Sequence, residues 1–285
     1  MRLRIEVPAT LANLGSGYDA LGLAVTLTNT FVVTVGSEGV PDLVTHTAHD
    51  AARRFGGELP PFAVAQDERI PRSRGMGSSA TARVAGLLTY TAICDMALHP
   101  DEQLAFLADA EGHPDNVWPA LLGGLVLCGA RAKRVEVGAG WSIAVINPVR
   151  EVSTPAARKA LPAQVPHADA VANVRAATLL VAGLIDGDAA AVRAGVEDRL
   201  HQRWRAPLIG PVDEAFAAAA ALGAAPFISG SGSTLAAFVP DGGDAQAVAE
   251  AMAAPFAPSG GVGEGPPAVR VLHPRPDGAT VADLP

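Results

Sequence analysis

Apolar and polar residues alternate along Arg2–Val7, with Leu3, Ile5 and Val7 on one side and Arg2, Arg4 and Glu6 on the other, which is the period of a strand. The same alternation over Leu23–Val35 and Trp141–Asn147 predicts two more strands. Helical spacing governs Thr45–Phe55, Ser78–Met96 and Asp101–Glu111. The second half reads more helical still, with Pro155–Leu161, His167–Ile185, Asp188–Gln202, Pro211–Leu222 and Asp244–Met252. Proline in a first helical turn, which needs no amide donor, supports the starts at Thr154-Pro155 and His99-Pro100-Asp101. A strand pair is expected around Ser229–Ser233, a Pro/Gly-rich surface loop over Pro255–Pro267, and a last short strand at Val269–Leu272. The strand that ends in Asn147-Pro148 before the helical half places a division near Pro148–Val152, giving segments 1–149 and 150–285.

Length agrees with that division, since 285 residues at roughly 150 per domain make two domains or one domain of two lobes. With 49% hydrophobic and 18% charged residues, the chain is not intrinsically disordered. A net charge of -8 argues against nucleic acid as a partner, so a polyanionic ligand must be met locally by backbone amides, a few arginines or a metal. Cys94 and Cys128 are far apart and form no CxxC pair, so neither a disulfide framework nor a cysteine zinc site is indicated, which fits a reducing cytoplasm. The N-terminal residues lack the apolar block of an export signal. The longest apolar helical stretch, around Leu179–Ile185, reads as shorter than the ~20 residues of a membrane span, so no membrane is expected.

Chemistry concentrates in four segments. Ile70–Ala80 is a glycine-rich loop leading directly into a helix, where unpaired first-turn amides and the positive end of the helix dipole favour phosphate. Gly75 and Gly77 permit close backbone approach, and Ser78 and Ser79 add hydroxyls for a cap or a metal ion. A P-loop is excluded because neither lysine follows a glycine. Gly75–Ala80 also fits the dinucleotide pattern G-x-G-x-x-A, but Arg72-Ser73-Arg74 precedes it in place of a buried strand, and Asp95 falls in a helical reading. Pro8–Asp19 offers Asn13 and Asp19 to an ammonium or hydroxyl group, or else serves as a turn. Glu111–Val117 opens another helix, with Glu111 a candidate metal carboxylate and His113 or Asp115 a candidate cap. Ile228–Thr234 is a glycine turn, either a structural hairpin or a second surface against the same ligand. No G-x-S-x-G occurs in these loops, so a hydrolase elbow is unsupported.

In this order the four segments resemble the GHMP kinase superfamily, whose phosphate loop P-x-x-x-G-L-G-S-S-A is present as Pro71–Ala80 with Met76 at the leucine position. Pro8–Asp19, the string from His113 to Gly124, the Ser-Thr-x-x-Ala-Arg stretch ending at Arg158, and Ser229–Ser233 are similar to its branch that phosphorylates L-homoserine. The resemblance implies an α+β fold of two lobes with the active site between them, ATP and Mg²⁺ in the reaction, and L-homoserine as the small-molecule partner. It places the nucleotide on Pro71, Arg72, Ser73, Arg74, Gly75, Met76, Gly77, Ser78, Ser79, Ala80 and Thr81, and the metal on Ser79 and Glu111. Asn13, Asp19 and Asn116 would face homoserine, while Arg158 and Arg205, with Arg203 as the alternative to Arg205, would receive its carboxylate. Catalysis would fall to Asn116, Arg158, Ser79 and Glu111.

Other members carry an aspartate near the substrate hydroxyl where this chain has Asn116. An amide takes up no proton at neutral pH, so the expected mechanism is positioning and charge stabilisation without a side-chain base. A kinase for another small alcohol and a non-catalytic nucleotide-binding regulator are the competing readings, and an intact Ser79 and Glu111 weigh against the second. The resemblance is compatible with a homodimer and implies neither nucleic acid nor membrane. A valine at Gly77 is expected to block the phosphates while leaving the fold intact.

Overall fold

A computed structural model describes residues 1–256 and 265–285. The chain begins with β1 (Arg2–Ala12), β2 (Leu21–Val35), α1 (Leu43–Phe55), β3 (Phe62–Asp67), α2 (Ser78–Ile93), α3 (Pro100–Glu111) and α4 (Pro114–Leu122). Three strands follow, β4 (Leu125–Cys128), β5 (Ala132–Val135) and β6 (Ser142–Asn147). Five helices come next: α5 (Thr154–Lys159), α6 (His167–Asp186), α7 (Ala189–Gly195), α8 (Gln202–Ile209) and α9 (Val212–Ala221). The described chain closes with β7 (Ala225–Ile228), β8 (Leu235–Val239), α10 (Ala245–Ala253), β9 (Ala268–Leu272) and β10 (Thr280–Asp283). The α+β class expected from the sequence is the class observed. Most of the expected Pro255–Pro267 loop, residues 257–264, lies outside the described residues.

The strands form two antiparallel sheets. The first runs β10-β1-β2-β4-β5, with β3 also paired to β2, and the second runs β7-β8-β6-β9. Sheet membership interleaves across residue 149, because β6 lies inside the second sheet and β10 returns to the edge of the first. The alternation of β1 is realised in its burial: Leu3, Ile5 and Val7 enter a core with α1–α4, while Arg2 and Arg4 stay exposed. At Pro8/Ala9 the register with β2 shifts, and Ala9 and Leu11 pass into a second core. In β6, Ile143 and Val145 enter that second core, whereas Ala144 and Ile146 face a third one under α9 and α10. A strand covered on both faces reads as a continuous apolar run, which is why its sequence is Ser-Ile-Ala-Val-Ile-Asn.

Two sequence expectations need correction. The single helix over Asp188–Gln202 is two: Asp188 caps α7, which ends at Gly195, where a Cβ would lie 2.5 Å from Leu180 of α6. The Asp198 carboxylate then accepts the backbone N–H groups of Leu200, His201 and Gln202 at 3.0, 2.8 and 2.7 Å, turning the chain and opening α8. The second correction concerns α6. It spans 20 residues at a mean hydropathy of 1.5, long and apolar enough to cross a membrane by length and composition. One of its faces is nevertheless committed to the fold, since Leu180 and Leu184 pack with Val192 and Val196 in the second core.

Candidate active site

The glycine-rich loop ends at the first turn of α2. Gly75 and Gly77 have φ of +76° and +69°, left-handed values that glycine alone adopts without strain. Space explains them as firmly as φ does. A Cβ on Gly75 would lie 2.2 Å from the Ser229 carbonyl oxygen, and one on Gly77 would lie 2.1 Å from Thr10 Oγ1 and 3.2 Å from Asn116 Oδ1. The Thr10 hydroxyl donates to Asn116 Oδ1 at 2.7 Å, so Gly77 sits against a buried hydrogen bond. The expectation that valine at Gly77 leaves the fold intact is therefore corrected. Gly77→Val should lower stability by about 2–4 kcal/mol through left-handed strain and overpacking. A thermal melt without nucleotide checks this, and an unchanged Tm would contradict it.

The loop borders a cavity of about 580 Å³ that also takes in the starts of α4 and α5. Arg72, Ser73, Arg74, Gly75, Gly77, Ser78 and Ser79 lie on its wall. Met76, Ala80 and Thr81 are buried behind it, and Pro71 is half-buried outside it. Arg74 is tied to the chain, donating to the carbonyls of Pro148 and Val149 at 3.1 and 2.9 Å, while Arg72 pairs with Glu68. In the glycine turn at Ser229–Ser233, Ser229 Oγ donates to the Gly75 carbonyl at 2.6 Å, and Gly230 and Ser231 line the cavity.

Beneath the first turn of α2, Ser79 Oγ donates to Glu111 Oε1 at 2.5 Å, and Arg83 Nε donates to Glu111 Oε2 at 2.5 Å. One carboxylate and one hydroxyl are hard oxygen donors that suit Mg²⁺, an ion usually shared between one or two carboxylates and substrate phosphates. Among the described residues no three His, Cys, Asp or Glu side chains gather into a metal cage. His113 does not cap α4; its Nδ1 lies 2.6 Å from Asp115 Oδ1. Burial alone would lower the His113 pKa, but the hydrogen bond and charge of Asp115, with Glu111 adding to them, outweigh it and raise the pKa from its ordinary value.

Elsewhere on the cavity wall, Asp19 and Arg158 are joined by two hydrogen bonds of 2.9 and 3.0 Å. Arg158 also donates to the Tyr18 hydroxyl at 3.0 Å. The Asp19 hydrogen bonds raise the Arg158 pKa further above its already high value. Asn13 is buried and anchors the site: its Nδ2 donates to the Gly230 carbonyl at 2.9 Å, and its Oδ1 accepts the Asp19 N–H at 2.9 Å. Arg205 lies in the cavity wall, whereas Arg203 reaches the surface and pairs with Asp169 at 3.2 Å. Burial lowers the Arg205 pKa, and its Nε has no hydrogen-bond partner among the described residues. Thr10, Tyr18 and Arg83 escape the sequence reading because each touches a residue far from it along the chain, Asn116, Arg158 and Glu111 respectively.

A glycine-rich loop on a helix N-terminus, wedged between two antiparallel sheets and facing an acid–arginine pair, defines a GHMP kinase. The family models agree: GHMP kinases N terminal domain matches residues 42–124, and GHMP kinases C terminal matches residues 180–258. The homoserine kinase of Aquifex aeolicus is 36% identical, over 82% of this chain and 85% of its own. That of Thermus thermophilus is 39% identical, over 92% and 97%. The crystal structure of homoserine kinase from Cytophaga hutchinsonii superposes with a TM-score of 0.86 at 27% identity, covering 99% of this chain and 97% of that one. The chain belongs to the homoserine kinase family. A mevalonate kinase structure with a TM-score of 0.68 and 12% identity, covering 96% of this chain and 99% of its own, shares the fold alone.

Proposed function

We propose that this enzyme transfers the γ-phosphoryl group of ATP to the side-chain hydroxyl of L-homoserine. The observation that carries the reading is the cavity itself. Its wall brings together a helix N-terminus with Ser78 and Ser79, the charged group Asp19, Arg158 and Arg205, and the Asn116 amide. A carboxylate and two guanidiniums match an amino-acid zwitterion with its ammonium near Asp19 and its carboxylate near the arginines. Asp42, Gln66 and Glu68 line the wall beyond the loop and leave that part to the nucleoside. The two lobes, divided near residue 149 but with β6 and β10 exchanged between their sheets, then meet at this cleft, in a cytoplasmic enzyme with neither nucleic acid nor membrane as partner.

The amides of the loop and of the first turn of α2 would meet the phosphates and the charge that develops on them. Ser79 Oγ and Glu111 Oε1 would hold Mg²⁺, which supplies neutralisation of the phosphate oxygens. Arg83 fixes the other Glu111 oxygen, so the carboxylate presents one edge. Thr10 occupies Asn116 Oδ1 and one Nδ2 hydrogen turns to Asp115 Oδ1 at 3.5 Å, which leaves the second Nδ2 hydrogen to donate toward the homoserine hydroxyl oxygen. Asn116 thus orients the hydroxyl without receiving its proton, and the proton passes to the γ-phosphate oxygen as the bond to the leaving group breaks.

A coupled assay of ADP release against homoserine, threonine, mevalonate and related alcohols tests the reading. Homoserine should be turned over with the highest kcat/KM; turnover of mevalonate alone would overturn the branch, and no turnover of any alcohol would favour a regulator. Glu111→Gln should lower kcat more than it raises the KM for homoserine, and raise the Mg²⁺ concentration needed for half-maximal rate. An unchanged Mg²⁺ requirement would remove Glu111 from the metal.

A further inference from the structure

Behind the cavity stands a histidine that the reaction as described does not use. His201 is fully buried just before α8. Its Nε2 lies 2.8 Å from the carbonyl oxygen of Gly15, which can only accept, so Nε2 carries the proton. Nδ1 then presents a lone pair, and the group facing it is Nη1 of Arg205 at 3.4 Å. Burial holds the His201 pKa below its ordinary value against the opposing charge of Asp198, which keeps the ring neutral. Arg205 Nη1 also donates to the Gly230 carbonyl at 2.7 Å. The Tyr18 ring stands 5.1 Å from the Arg205 guanidinium carbon and 5.2 Å from the imidazole.

We propose that His201 is a positioning residue for recognition of the substrate carboxylate: its Nδ1 and the Gly230 carbonyl hold the Nη1 corner of Arg205, which leaves Nη2 to the cavity. Beside it Nε is closed off from solvent and has no hydrogen-bond partner among the described residues, so the guanidinium keeps donors that no protein group claims. A neutral acceptor suits the task. A carboxylate in the place of His201 would neutralise Arg205 and compete with the substrate, whereas an imidazole lone pair orients the guanidinium and leaves its charge to be used.

This inference rests on the reading that Arg205 receives the carboxylate, and kinetics of three variants separate the two. In His201→Gln the side-chain amide reaches the Gly15 position and leaves no acceptor beside Arg205. The KM for homoserine should rise about tenfold, with kcat and the KM for ATP unchanged. The kcat/KM for aminopropanol, which lacks the carboxylate, should also be unchanged. His201→Asn places an oxygen near the Nδ1 position and should restore most of the homoserine affinity. A His201→Gln enzyme with unchanged homoserine KM, or with an equal loss on aminopropanol, overturns the inference while the carboxylate reading stands. If Arg205→Ala leaves the homoserine KM unchanged, the carboxylate reading falls and takes the inference with it. Should the variants fail to fold, nitrogen-15 spectra of wild-type enzyme labelled at histidine decide at neutral pH: a proton on Nε2 and a bare Nδ1 are expected for His201, and a protonated Nδ1 overturns the inference.

Discussion

Asn116→Ala should lower kcat about 10²–10³-fold, the loss that follows removal of a donor aimed at a reacting oxygen. The KM for ATP should stay near its wild-type value, because the amides proposed to meet the phosphates belong to α2 and the turn before it. Asn116 is buried and accepts from Thr10, so its loss also leaves the Thr10 hydroxyl without an acceptor, at about 1–3 kcal/mol of stability. Turnover must therefore be measured well below the variant's Tm. The base-free mechanism makes a companion expectation for Asp19, the carboxylate on the substrate side of the cavity. Asp19→Asn should weaken homoserine binding and leave the acid limb of kcat against pH in place. A slow Asp19→Asn enzyme that binds homoserine normally and has lost that acid limb would make Asp19 the general base and defeat the mechanism.

Arg158→Ala is expected to raise the KM for homoserine roughly 10- to 100-fold, with a smaller fall in kcat, as a charge-assisted pair to the carboxylate is lost. The side chains of Arg158 and Asp19 are 38% and 36% exposed, so their mutual ion pair adds little to folding and the variant should melt close to wild type. Initial-rate kinetics at saturating ATP check the first statement and calorimetric melting the second. If homoserine kinetics were untouched, Arg205 alone would carry the carboxylate, since Arg203 is engaged with Asp169 at the surface.

Local pattern exposed part of this molecule and long-range contact the rest. β1 and β2, and most helices, could be read from period alone, and β6 from its apolar run; the glycine-rich loop at Gly75–Ser79 was legible too, because its residues are neighbours in sequence. Short strands could not: Leu125–Cys128 and Ala132–Val135 have four residues each, too few for a period, and acquire their identity only by pairing with β2 and with each other. The helix expected over Asp188–Gln202 failed because Asp198 competes for the backbone, a choice that propensity over a window averages away. At the site, types of residue were legible and partnerships were not. Nothing local to Asn116 announces Thr10, 106 positions away, nor does anything near Asp19 announce Arg158, 139 away. Arg203 stands in the sequence as the alternative to Arg205, and α8 turns the first outward to Asp169 and the second into the cavity wall.

The edge strand β10 has a consequence for synthesis. Thr280–Asp283 pairs with Leu3–Glu6, and just before it the Arg275 N–H donates to the Ala24 carbonyl at 2.9 Å. While a ribosome is still translating the region between, β1 has left the exit tunnel with one flank of backbone N–H and C=O groups unpaired, the arrangement most prone to pairing with another nascent chain. The first sheet can gather its core around α1–α4 early, but its border is sealed only after residue 283 emerges. Arg2 and Arg4, charged and outward-facing on β1, are placed where they discourage association between neighbours on a polysome during that interval.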